Sequence, residues 1–91
     1  MNKTNETALT KRIEWVKEEI QDDRRGLAKL LEALSGTAGH EARYFRENPS
    51  RTPSLAIVRG QADQIENLVR SIEKSQAVLE ALQKVADWSG S

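Results

Sequence analysis

The chain has no cysteine among its 91 residues, which excludes disulfides and thiolate metal sites and leaves the redox compartment undefined. Its single histidine, His40, has no second histidine or cysteine to complete a metal site, so it reads as a surface loop residue. No glycine-rich phosphate loop and no serine in a nucleophile-elbow setting is present. No apolar run approaches the roughly 18 residues that would cross a bilayer. The formal net charge is +0, so no global field draws in nucleic acid or an anionic membrane, and any basic site must be local. Residues 1–6 lead into a charged amphipathic segment rather than the apolar core of a signal peptide, and the expected location is cytoplasmic. Aromatic residues are scarce at 4%, so each of Trp15, Tyr44, Phe45 and Trp88 can be weighed individually.

What is present points to helices. Hydrophobic content of 37% beside charged content of 31% fits one small helical domain with salt-bridged faces better than a disordered chain. Residues 53–88 read as one long amphipathic helix. Val58, Ile65, Leu68, Ile72, Leu79 and Leu82 recur at helical spacing, with Ala62 and Ala86 filling gaps. Thr52 suits the cap and Pro53 the first helical position, where a missing N–H costs nothing. Residues 5–35 read as a second long helix with Leu9, Ile13, Val16, Ile20, Leu27, Leu30 and Leu34 on one stripe. Asp23 falls on the skipped core position, and Gln61 and Ser75 interrupt the other seam. Gly26 is a weak point worth roughly 1 kcal/mol relative to alanine, but the stripe keeps its phase across it. Ser35-Gly36 reads as a stop, and residues 36–52 read as a connection with a short helical stretch across His40 to Arg46.

The expected architecture is all-α, an antiparallel helical hairpin. Leu31, Val69, Val78 and Val85 widen the stripes beyond a two-stranded seam, which favours a bundle of three or more helices. A homodimer closing a four-helix bundle meets that need. The alternative is a monomer in which residues 36–52 pack as a third helix.

Two clusters are candidates for binding. Arg43, Tyr44, Phe45, Arg46 and Arg51, with Arg59 nearby, combine guanidinium groups and aromatic faces, as phosphate contacts and base stacking require. Glu41 and Glu47 dilute that charge, and the aromatic pair serves equally well to cover the end of a bundle. Trp15 and Trp88 fall off the main stripe in the half that holds the termini; they suit a partner interface, or packing at the bundle's end or across the dimer. Acidic groups at Glu18, Glu19 and Asp22 and at Asp63 and Glu66 would need to converge to hold magnesium, and Asp63 and Glu66 flank the outer side of their seam. No cofactor or metal is expected. The expectation is a non-catalytic protein-binding protein (adaptor, regulator or inhibitor) that self-associates. The alternative is a nucleic-acid or nucleotide binder acting through Arg43, Arg46, Arg51 and Arg59.

Overall fold

The computed structural model describes residues 3–52 and 54–90, and the side chains of residues 8–52 and 54–88. Two helices form the chain, α1 at Lys3–Glu47 and α2 at Ala56–Gly90, and no strand occurs among the described residues. They pair antiparallel. The Ser71 hydroxyl donates to the Asp23 carboxylate at 3.3 Å, and a Cβ placed on Gly26 would lie 3.5 Å from Leu68 Cδ2. Both contacts join residues whose numbers add to 94, which fixes the register of the hairpin. The Cα positions extend 71 Å by 15 Å by 15 Å, a rod one helix pair wide.

The apolar stripes lie where the sequence puts them. Val16, Ile20 and Ile72 are buried; Leu9, Ile13, Leu27, Leu30, Leu34, Val58, Ile65, Leu68, Leu79 and Leu82 are half-buried along the seam. Two helices touch along one line only, so most seam side chains keep an edge in water. Ala62 is exposed rather than filling the seam; Gln61 takes that place, with its Oε1 buried and lacking a hydrogen-bond partner among the described residues.

Three boundaries differ from the sequence expectation. The first helix does not stop at Ser35-Gly36 but continues unbroken to Glu47, absorbing the short helix expected across His40 to Arg46. No glycine in the described chain has positive φ, so Gly26, Gly36 and Gly39 act as ordinary helical residues. The seam also persists through this stretch, at Thr37, Glu41 and Phe45, all half-buried. Second, the connection shortens to residues 48–55, and no third helix forms from 36–52. The true stop is Asn48-Pro49: proline disfavours the helical region for the residue before it. Asn48 Nδ2 donates to the Tyr44 carbonyl at 2.8 Å, and the Arg51 N–H donates to the Asn48 carbonyl at 3.1 Å, closing a turn with proline at its second position. Third, α2 starts at Ala56, where the Arg59 N–H donates to the Leu55 carbonyl at 2.8 Å; Thr52 does not cap it, and the expectation for Pro53 lies outside the described residues.

The late start of α2 follows from the register. With 45 residues against 35, α1 overshoots α2 at the connection end by about nine residues, or roughly 13 Å. Residues 48–55 must travel back down the last turns of α1 before α2 can begin.

Candidate functional site

The two candidate clusters sit at opposite ends of the rod. Trp15 and Tyr44 are separated by 29 positions on one helix, about 43 Å at the helical rise, so they do not belong to one site.

At the connection end, Tyr44 and Phe45 meet edge to face, ring centroids 5.6 Å apart at 74°. Phe45 is half-buried on the seam, while Tyr44 turns outward. Arg43, Arg46, Arg51 and Arg59 are all exposed, and none is in an ion pair among the described residues. The cluster is therefore divided: Phe45 is partly covered, and the four arginines are exposed.

At the terminal end, Trp15 is 53% exposed and lies beneath the Arg12 guanidinium, 5.1 Å from the ring centroid. Such a cation–π contact fixes a ring without burying it. Trp15 opens a shallow groove of about 280 Å³ whose walls include Glu19, Lys74, Ser75 and Val78. Trp88, 74% exposed, belongs to the same half. In the hairpin register it falls beside the start of α1 rather than beside Trp15.

On the other side of the seam lies a second groove, of about 410 Å³ and mostly apolar. Leu27, Leu31, Val69 and Ile72 form its floor, and Arg24 and Glu73 stand on its rims. Position arithmetic puts the two grooves on opposite faces. Val69, Glu73 and Gln76 flank Ile72 on one side, and Ser71, Lys74 and Val78 on the other. Leu31 and Val69 were legible in the sequence as widening residues, but the charged rims that frame them went unread.

Asp23 is half-buried and accepts a hydrogen bond from Ser71 across the seam. The ion pairs present are local and exposed, Arg25 with Asp22 at 3.2 Å and Arg70 with Glu66 at 3.0 Å. The acidic runs do not converge: among the described residues no group of three or more His, Asp or Glu side chains is placed to hold a metal ion. Among those residues, too, no helix is long and apolar enough to cross a membrane. Comparison with protein-family models, with curated proteins and with solved structures finds no match.

Proposed function

We propose that this chain is a non-catalytic helical protein-binding protein, an adaptor, regulator or inhibitor of a partner, and that it works as a homo-oligomer. One observation supports the reading above all. Among the described residues the hairpin buries three apolar side chains, Val16, Ile20 and Ile72, while Trp15, Leu31, Ile57, Val78 and Trp88 stand exposed. A soluble rod with so thin a seam gains stability by covering one of its faces, because burial contributes about 25 cal/mol per Å² of apolar surface. The third helix that would have covered a face within the monomer does not form, since residues 36–47 extend α1 instead. A second copy covering one face leaves the other, which carries Trp15 toward its terminal end, for a partner protein; exposed aromatics beside an arginine are common anchors of such interfaces. Sedimentation equilibrium tests the self-association, with a dimer or higher oligomer expected. A helical monomer that persists at high concentration overturns it. Trp15→Ala tests the outward face: the variant is expected to keep its mass and lose partner capture.

A second reading is supported by the four exposed, unpaired arginines at the connection end. It takes the chain as a nucleic-acid or nucleotide binder through Arg43, Arg46, Arg51 and Arg59. Such binding weakens steeply with salt, with a slope that tracks the phosphates contacted. Anisotropy with a single-stranded oligonucleotide at low and moderate salt separates the readings. Affinity unchanged by Arg43→Ala with Arg46→Ala removes the second.

A further inference from the structure

Resting on the self-association just proposed, we infer that the groove floored by Leu27, Leu31, Val69 and Ile72 is where a second copy docks. The helix α1 of one protomer lies along α2 of the other, and Arg24 meets the partner copy's acidic rim at position 73. Three observations lead there.

The first is charge. Arg24 stands on the α1 rim and Glu73 on the α2 rim of one apolar groove. Both are exposed, and neither is in an ion pair among the described residues. Opposite signs on opposite rims make the groove complementary to itself.

The second is register. Two hairpins stacked face to face can be related by a twofold axis along the rod or across it. An axis along the rod keeps heights equal and sets α1 on the partner's α2, antiparallel. In the hairpin register Arg24 and position 73 then differ by three residues of height, about 4.5 Å, which a long side chain spans. The same offset repeats along the edge. It sets Lys17 toward position 80, a glutamate; Gln21 toward position 76, a glutamine; and Ala28 toward position 69, a valine. Basic meets acidic, amide meets amide and apolar meets apolar at these positions; one heptad on, Leu31 faces position 66, a glutamate that Arg70 of its own helix already pairs. An axis across the rod would instead lay α2 on α2, acids at 66, 73 and 80 against the same acids, and like charges directly opposed are costly.

The third is extent. The stretch where both helices run side by side, the 35 residues of α2 or roughly 52 Å, by 15 Å across its Cα positions, offers on the order of 800 Å² per protomer, the size of one side of a standard stable interface.

The test uses the full chain in four forms: wild type, Arg24→Glu, Glu73→Arg, and an equimolar mixture of the two variants. Each variant alone faces two like-charge pairs in its homodimer and is expected to dissociate at least about tenfold more readily than wild type. In the mixture both pairs are opposite in sign, so dimer mass is expected to return, and a contact within one chain gives no such rescue. Circular dichroism follows the fold. If a single variant loses helicity, recovery of helicity together with mass on mixing supports the pairing in the same way, and Lys17→Glu with Glu80→Lys repeats the test one heptad away. A dimeric wild type whose variants stay dimeric, or whose mixture shows no rescue, overturns this groove and orientation while leaving self-association standing. A monomeric wild type overturns both.

Discussion

The two halves of the rod are built to different standards. The half holding the chain termini contains all three buried apolar side chains, Val16, Ile20 and Ile72, and the one hydrogen bond that crosses the seam, from Ser71 to Asp23, among the described residues. The connection half has none of these. Its stretch of α1 includes Gly36 and Gly39, its stretch of α2 includes Gly60, and a Cβ on any of the three would meet nothing within 4 Å. Its seam holds half-buried Leu34, Val58 and Ile65 but is interrupted by Thr37, Glu41 and Gln61, the last with a buried oxygen that lacks a partner among the described residues. The same α-hairpin geometry thus spans a knit half and a loose one. The loose half is closed by local chemistry, the Asn48 side chain on the Tyr44 carbonyl and the turn through Pro49.

Core truncation should expose the difference most strongly. Ile72→Ala is expected to cost about 2–4 kcal/mol in denaturant unfolding at fixed protein concentration, and Leu34→Ala, which is only half-buried, about half as much. Equal losses would mean that the halves are equally knit. Next in size, Gln61→Leu removes the orphaned oxygen and keeps the volume, and a gain of about 1–2 kcal/mol is expected. A loss would show that the amide has a partner in solution.

Smaller again, Gly36→Ala and Gly39→Ala are each expected to stabilise by about 0.5–1 kcal/mol, since both are helical with open space at Cβ. Amide exchange should slow chiefly between residues 33 and 47, and slowing spread evenly along α1 would erase the distinction. Least of all, Arg70→Ala breaks an exposed i,i+4 pair with Glu66 and is expected to change stability by no more than about 0.5 kcal/mol in either direction.

The sequence shows the knit half clearly and the loose half poorly, for one physical reason. Hydrophobic periodicity reveals a helix only where the seam positions are apolar. From Leu9 to Leu34 they are, apart from Asp23, and the stripe and its phase through Gly26 are readable. Beyond Leu34 the seam continues at the same spacing, but Thr37 and Glu41 occupy it and Gly36 and Gly39 stand beside it, so a helix looks like a loop. The stop that operates, Asn48-Pro49, is ordinary turn chemistry masked by two earlier glycines. The start of α2 at Ala56 depends on how far α1 overshoots, a tertiary quantity that local cap signals at Thr52 do not contain. At the candidate surfaces, the residues were visible one by one. Their distribution over two ends and two faces was not, because it depends on register.

A rod with so little interior is not expected to remain alone. Light scattering on the wild-type chain, followed by dilution, asks this directly. The expected particle has about twice the 10.2 kDa of one chain and loses helicity as it dissociates. A particle of 10.2 kDa that stays fully helical at every concentration would contradict it.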